Sequence, residues 1–187
     1  VLPALFIGPL MTAIPAADAA PYRFDPRRTE VRFIFRMAYS TQRGRFTDVS
    51  GTLEYDQSKP EKAKISARIG AASLTTGQPL VDSELKGKAF FNVTAQPAIR
   101  FESHAVEPRS PTAANVMGEI TVNGITKPVA LAVTLEPHDD PALKYDAGAR
   151  KFTAKTRLQR SAFNMTDYQS MVDDEIDIEI DAVVRPQ

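Results

Sequence analysis

The sequence predicts an all-β domain, either an antiparallel barrel closed on itself or a sandwich of two sheets. From residue 22 onward, apolar and polar residues alternate with a period of two, which is typical of strands with one buried face. The alternating segments are short and are separated by turn residues such as Asn123-Gly124, a strong signal for a two-residue hairpin. Both architectures bury one face of each strand, so the period alone does not distinguish them.

About eight segments follow this pattern along the chain. In the first of them Val31, Phe33 and Phe35 alternate with Arg32, Ile34 and Arg36. The predicted strands are, in order, 31–39, 52–56, 65–69, 99–102, 118–122, 129–135, 151–159 and 175–181. A short helix is expected between residues 79 and 91, because Pro79 suits a first helical turn and Gly87 weakens or ends a helix.

The last predicted strand contains the stretch EIDIEID at residues 175–181, which alternates acids with isoleucines. Alternate residues of a strand lie about 6.6 Å apart, and such a straight ladder of carboxylates does not converge on a calcium ion. Arg36, Lys155 and Arg157 on neighbouring strands are the expected partners, as cross-strand ion pairs. We therefore expect the acids on the solvated outer face and the isoleucines on the inner face.

Composition excludes several classes of function. The chain has 187 residues, enough for one domain with its own core, and its 23 basic and 23 acidic residues leave no basic excess for binding nucleic acid. It has no cysteine, which removes disulfides, thiol nucleophiles and thiolate zinc sites. Its two histidines, His104 and His138, accompany no serine, metalloprotease or phosphate-binding motif. We therefore expect no catalytic residue, no metal and no cofactor other than a bound lipid or isoprenoid quinone.

The first nineteen residues differ from the rest of the chain. They form an apolar run that contains no Lys or Arg and ends in Ala17-Asp18-Ala19, which resembles the cleavage site of a secretory signal peptide. We expect residues 1–19 to be a signal peptide and residues 20–187 to be the mature domain. The alternative is an apolar arm that the protein retains, since no basic segment precedes the run.

The inward faces of the predicted strands are rich in aromatic residues, aliphatic residues and methionine. An interior that is partly open would suit a flexible alkyl or prenyl chain, whereas a closed interior would be an ordinary filled core. The predicted lining residues are Phe33, Phe35, Met37, Phe46, Leu53, Ile69, Phe90, Phe91, Phe101, Met117, Ile120, Leu131, Val133, Phe152, Phe163, Met165, Ile176 and Ile178.

Seven stretches, in order from Tyr22 to about Val184, together resemble the YceI-like family of polyisoprenoid-binding, lipocalin-like proteins. Residues 97–103 match the family pattern P-x-I-x-F-x-S, and residues 118–129 match G-x-L-T-x-N-G-V-T-K-P-V closely. The other stretches are 22–25, 43–51, 72–76, 82–92 and 163–165. The chain departs from the family where histidines are common, because residues 36–40 and 81–85 contain none.

The resemblance implies an eight-stranded antiparallel lipocalin-like barrel with a short helix between residues 79 and 91. It also implies an exported, periplasmic or secreted, non-catalytic protein that holds an isoprenoid or another long-chain amphiphile for carriage, storage or stress protection. Transient membrane contact is compatible with such a role, and the oligomeric state is left open, a dimer included. An interaction module with a filled β-sandwich core and a lipid-modifying enzyme are the alternatives.

Four uncharged hydrogen-bonding residues beside the expected helix are candidates for contact with the ligand's headgroup. Each is equally explained by the chemistry of turns. The candidates are Thr75, Thr76, Gln78 and Asn92.

Overall fold

The structure is a computed structural model that describes residues 20–187, so the predicted signal peptide lies outside the described residues. These residues form ten strands and one α-helix, α1 (Pro79–Lys86). The strands are β1 (Ala20–Phe24), β2 (Glu30–Met37), β3 (Ser40–Phe46), β4 (Val49–Tyr55), β5 (Lys64–Gly70), β6 (Ala98–Ser110), β7 (Ala113–Val122), β8 (Ile125–Leu135), β9 (Arg150–Gln159) and β10 (Glu175–Pro186).

Eight of the strands form a closed antiparallel barrel, which confirms the fold class that the sequence predicts. Neighbours around the ring follow the order β1, β4, β5, β6, β7, β8, β9 and β10, and β10 pairs with β1 to close it. Closure provides hydrogen-bond partners for the backbone N–H and C=O groups that would be unpaired at the edges of an open sheet. Within the described residues, no helix is long and apolar enough to cross a membrane.

The remaining hairpin, β2 and β3, extends the wall along the edge of β10 that β1 also occupies. Residues 184–186 of β10 pair with β1, and residues 177–181 pair with β2. Because β9 pairs with the other edge over residues 175–184, the two short strands follow one another along the same edge. The wall therefore contains ten strands, of which eight form the closed ring. The sequence pattern predicts eight strands and does not include β1 and β3.

The helix and the first predicted strand are both shorter than expected. Pro79 begins α1 as predicted, but the helix ends at Lys86 because Gly87 is extended and its amide caps the carbonyl of Glu84. Strand β2 ends at Met37, two residues early, because Ala38 turns the chain with a positive φ of 53° into the hairpin.

The acids of β10 lie on the outer face and pair with basic side chains, as the sequence predicts. Arg157 contacts Glu175 at 3.4 Å and Asp177 at 2.7 Å, while Lys155 contacts Glu179 at 3.4 Å. Outside the strand, Arg36 lies 3.8 Å from Asp173, and Arg32 also pairs with the acids of β10. Among residues 20–187, no group of three or more His, Asp or Glu side chains is placed to hold a metal ion.

Ionic contacts reinforce the seam where β1 meets β10. Asp25, whose side chain is 10% exposed, accepts hydrogen bonds from the Arg27 amide and Arg28 Nε, each at 2.9 Å. Arg185 Nε lies 3.2 Å from Asp25 and 2.7 Å from Asp146. Burial opposes ionisation, but the hydrogen bonds and the two arginine charges outweigh it and hold the pKa of Asp25 below its usual value.

Replacing Asp25 with asparagine is expected to lower the free energy of unfolding by about 1–3 kcal/mol at pH 7, the size of hydrogen bonds to a charged group. The pKa of Asp25 is lower in the folded state than in the unfolded chain, so its carboxylate stabilises the fold fully at pH values above the ordinary pKa of 3.8. This contribution to the free energy of unfolding is lost as the pH falls through the pKa of the folded state. Urea unfolding of both proteins at pH 7 and about pH 2 tests this. If the free energies of unfolding of the wild type and the variant differed equally at both pH values, the prediction would be wrong.

Candidate functional site: the barrel interior

The barrel encloses a cavity of about 240 Å³ whose wall is almost wholly apolar. Every strand of the ring contributes side chains to the wall, although β1 contributes only Phe24. Phe90 and Phe91, which follow α1, also line the cavity. The period of two explains the lining, because each strand turns its apolar face inward and its charged face to solvent. In β10, for example, Ile176, Ile178 and Ile180 line the cavity while the intervening acids form the outer ion pairs.

Sixteen of the eighteen predicted lining residues lie in the wall of this cavity. Met117 does not, because Val116, Ile120 and Val122 line the cavity and their parity places Met117 on the opposite face of β7. Met37 has the inward parity of β2 but lies at the strand end, packed against the core beyond the cavity wall. Contact of the sixteen with a ligand stays a prediction.

Further residues of the same parity line the cavity beyond the predicted set. Ile65 precedes Ile69 on the same face of β5, and Leu158 follows Phe152 on β9. Ile180, which the alternation of β10 places on the inner face as predicted, also lines it. The period of two could have identified each of these. Small residues such as Ala154 also line the cavity, and they leave the space that larger side chains would fill.

A cluster of phenylalanine rings forms one part of the wall. The ring centroid of Phe33 lies 5.4 Å from that of Phe46 and 6.1 Å from that of Phe91, and Phe46 and Phe91 meet edge to face at 5.3 Å. Gly44 faces Phe33 across the β2–β3 hairpin, and a Cβ at this position would lie 2.2 Å from the Phe33 ring. The glycine therefore provides the space that the ring occupies.

One end of the barrel, here named the covered end, is closed by α1, residues 87–92 and the loop 164–174. The Phe90 and Tyr168 rings stack at 5.9 Å with planes 2° apart. The Tyr168 hydroxyl donates to Glu84 of α1 at 2.9 Å, and this hydrogen bond raises the pKa of Tyr168. The contacts join the helix, the segment after it and the loop into one cover.

Arg160, directly after β9, is the one charged residue in the described wall of the cavity. It is 5% exposed, and its guanidinium donates to four carbonyl oxygens of the loop. Nε donates to Asp173 at 3.1 Å, Nη2 to Val172 at 2.8 Å, and Nη1 to Met165 and Asp167 at 2.5 and 2.8 Å. Cζ also lies 5.9 Å from the Phe90 ring centroid. Nothing in the alternating pattern of the sequence distinguishes this arginine from a solvated one.

The four headgroup candidates lie outside the cavity wall, in turns beside α1. The hydroxyls of Thr75 and Thr76 donate to Asp82 at 3.0 and 2.6 Å, and Gln78 Nε2 donates to Gln42 at 3.1 Å. Burial acts against the charge of Asp82, but the threonine hydrogen bonds outweigh it and lower its pKa. Asn92 occupies a turn with a φ of 44°. All four have the structural roles of turn residues, and their contact with a headgroup stays a prediction.

Comparison with known proteins agrees with this architecture. The family model of the YceI-like domain, which describes the sequences of that family, matches residues 22–184. A UPF0312 protein of Yersinia pestis (strain Pestoides F) is 34% identical over 166 residues, which cover 87% of this chain and 84% of the relative.

Two solved structures share the fold. Burkholderia cenocepacia BcnA superposes with a TM-score of 0.77 at 24% identity, covering 86% of this chain and 98% of BcnA. A polyisoprenoid-binding domain from Saccharophagus degradans superposes with a TM-score of 0.68 at 9% identity, covering 89% of this chain and 98% of that domain. The family match over almost the whole described chain and the 34% identical relative show that this protein belongs to the YceI-like family.

Proposed function

We propose that this protein is a non-catalytic carrier that holds one long-chain amphiphile, an isoprenoid such as a polyisoprenoid or an isoprenoid quinone, inside its barrel. The observation that carries the proposal is the apolar cavity of about 240 Å³ inside the ring of strands. It exceeds the ~150 Å³ apolar cavity that is known to bind benzene. The cavity volume lies just below the range of roughly 300–1,000 Å³ that is typical of ligand pockets. A cavity of this size suits a slender chain better than a fused ring system.

The apolar wall can supply the affinity that a carrier needs. Each methylene transferred from water contributes about 0.8 kcal/mol, so a chain of about twelve contributes roughly 10 kcal/mol before association costs. A wall of phenylalanine, isoleucine and leucine side chains, with the flexible Met165 among them, adapts to a branched chain through rotamer changes. The polyisoprenoid-binding domain of S. degradans, which has the same fold, supports an isoprenoid as the ligand.

The positions of the histidines support binding rather than catalysis. His104 and His138 are both exposed, and neither lies in the cavity wall. An acyl-transfer or hydrolytic mechanism needs a base beside the bound substrate. A lipid enclosed in this wall would lie away from both imidazoles.

Export to the periplasm or the medium is part of the proposal. It is supported by the apolar run of residues 1–19 and the small residues around Ala19. N-terminal sequencing of the protein from separated cell fractions tests it. A mature N-terminus at Ala20 in the exported fraction is the expected result, and a cytoplasmic protein that retains residues 1–19 would contradict it. Membrane contact stays a prediction from the sequence.

Filling the cavity is expected to abolish ligand binding. Ala154 lines the cavity from β9, so an Ala154→Phe side chain would occupy the space that a lipid chain needs. The matched control is Lys155→Phe, which places the same ring on the outer face of the same strand, where Lys155 pairs with Glu179. We expect Ala154→Phe to lower the affinity for a fluorescent prenyl or acyl probe at least tenfold, while the control binds as the wild type does. Equal affinity of both variants would contradict binding inside the barrel.

A further inference from the structure

Among the described residues, five large apolar side chains are exposed, and four of them lie at the covered end of the barrel. Tyr39 is in the turn between β2 and β3, Leu80 is in α1, and Tyr168 and Met171 are in the loop that closes the barrel. We name these four residues the rim patch. The fifth, Tyr145, lies in the connection before β9, whereas the covered end follows β9. Single exposed apolar residues are ordinary, but a group of them at one end indicates an interaction surface.

Hydrogen bonds hold the three segments that carry the rim patch together. The amide of Ala38, next to Tyr39, donates to the Met171 carbonyl at 2.6 Å. The Tyr168 hydroxyl donates at 2.9 Å to a glutamate of α1 that lies one turn after Leu80 on the same helical face. A pair of glutamines, 3.1 Å apart, joins the start of α1 to β3. The turn, the helix and the loop therefore keep their exposed apolar residues around the same end of the barrel.

The rim patch lies directly outside the cavity wall. Tyr168 stacks on Phe90, and Met171 precedes Val172 in the chain. Phe90 and Val172 both line the cavity, and Leu85 lines it from the helix that carries the leucine of the patch. A lipid chain that leaves the cavity through this cover therefore emerges among exposed apolar side chains.

The rim patch is too small for a stable protein–protein interface. Tyr39 and Leu80 are 103% and 88% exposed, and the other two residues are about half exposed. Because an aromatic side chain buries roughly 150–250 Å², the four together present less than the ~800 Å² per partner of a standard interface. A bilayer needs no complementary surface, and its attraction for a protein grows with the apolar area that inserts. Tyrosine suits this boundary, because its ring is apolar and its hydroxyl can stay in the headgroup layer.

The charges of the cover favour a zwitterionic lipid surface over an anionic one. Clusters of Lys and Arg are what attract a protein to anionic lipid, and the cover has more acidic residues than basic ones. Insertion of apolar side chains therefore has to supply the attraction. The charged residues of the cover are Asp82, Glu84, Asp167, Asp173 and Asp174 on the acidic side and Lys86 and Lys88 on the basic side.

We propose that the rim patch docks on the surface of a zwitterionic phospholipid bilayer, and that the barrel exchanges its amphiphile with the membrane through the covered end. The exchange rests on the proposed function, because it gives the route by which the lipid enters and leaves the barrel. The docking is a property of the surface and is measured separately.

Tryptophan reporters test the docking, because the chain contains no tryptophan of its own. Tyr39→Trp and Leu80→Trp place the reporter at the two most exposed positions of the patch, and Tyr145→Trp is the matched control at the other end. We expect vesicles of brominated phosphatidylcholine to quench the two patch reporters at least about twofold more than the control. Equal quenching at all three positions, or none at any, would overturn the docking.

Transfer of a fluorescent prenyl probe from the protein to phosphatidylcholine vesicles tests the route. We expect the transfer rate of the wild type to rise with vesicle concentration, as exchange during contact requires. Leu80→Asp should lower the rate about tenfold, because it removes an inserting side chain. Leu80 does not line the cavity and an acid is favourable in the first turn of a helix, so the affinity for the probe without vesicles should not change. Tyr145→Asp should transfer the probe as the wild type does.

The outcomes distinguish the docking from the carrier function. A transfer rate that is independent of vesicle concentration, or unchanged in Leu80→Asp, would overturn the route and leave the carrier intact. Tighter binding to phosphatidylglycerol vesicles than to phosphatidylcholine would overturn the choice of lipid surface. A dimer in solution that Leu80→Asp abolishes would assign the patch to a second copy of the chain instead. No binding of the probe without vesicles would overturn the proposed function and the exchange route with it.

Discussion

Replacing Phe33 with alanine is expected to lower the free energy of unfolding by about 3–5 kcal/mol, the range for phenylalanine in a packed core. Phe33 is 4% exposed, and its ring centroid lies within 6.1 Å of those of Phe35, Phe46 and Phe91. Gly44 fits under its ring, so truncation leaves a void that the facing strand has no side chain to fill. The cost therefore combines lost transfer free energy with an unfilled cavity.

Urea unfolding of lipid-free protein measures this effect, since a bound lipid could fill part of the void. Tyr39→Ala is the control, because Tyr39 lies in the turn of the same hairpin and is fully exposed at 103%. We expect the control to change stability by less than about 0.5 kcal/mol. A loss below about 1 kcal/mol for Phe33→Ala would show that the ring cluster is not packed as described.

Arg160→Met is expected to destabilise the protein by about 2–5 kcal/mol, because each buried carbonyl oxygen that loses its donor costs about 1–3 kcal/mol. The substitution leaves four loop carbonyls without their donor. The loop also contains Asn164 and Tyr168 at φ values of 59° and 58°, a strained conformation for a tyrosine. The hydrogen bonds of Arg160 hold this strained segment over the barrel.

Arg157→Met provides a control of the same residue type three positions earlier. Arg157 is 59% exposed and pairs with Glu175 and Asp177 on the barrel surface, where such pairs contribute about 0–1 kcal/mol. Chemical unfolding of both variants should show a several-fold larger loss for Arg160. Similar losses would contradict the structural role of the buried guanidinium.

The regular part of the barrel could be predicted from the sequence because each of its strands has one solvent-exposed polar face and one buried apolar face. In β10 the alternation of acid and isoleucine is unbroken, so the inner face, the outer face and the basic partners all follow from it. The pattern was weaker in β3, where the segment STQRGRF has one large apolar residue, Phe46, and a glycine at the other buried position. That strand went unrecognised because its inward space is filled by Phe33 from β2.

Met117 shows why local pattern alone can select the wrong face. Val116 and Met117 are adjacent apolar residues, and Gly118 has no side chain that would decide the parity. The partner strand β6 also has a register shift between Ser103 and Ala105, opposite this region. The alternation of Ile120 and Val122 with polar residues, extended back through Gly118, would have placed Met117 on the outer face.

Arg160 could not be found from the sequence because its environment is assembled by the fold. A basic residue at the end of an alternating strand is usually solvated, like Arg157 three positions before it. The carbonyls that receive its hydrogen bonds belong to residues 165–173, which come together only when the loop covers the barrel. The sequence identifies Thr75 and Thr76 as uncharged hydrogen-bonding residues beside the helix, but it does not show that Asp82 accepts hydrogen bonds from both hydroxyls.

Mass spectrometry of organic extracts from the purified protein tests the central claim most directly. We expect close to one long-chain amphiphile per protein molecule, an isoprenoid or a related lipid, in the wild type and in Lys155→Phe. We expect little or none in Ala154→Phe, whose cavity is filled. Absence of any stoichiometric amphiphile from the wild type, together with no binding of added prenyl or acyl ligands, would contradict the claim that this barrel is a lipid carrier.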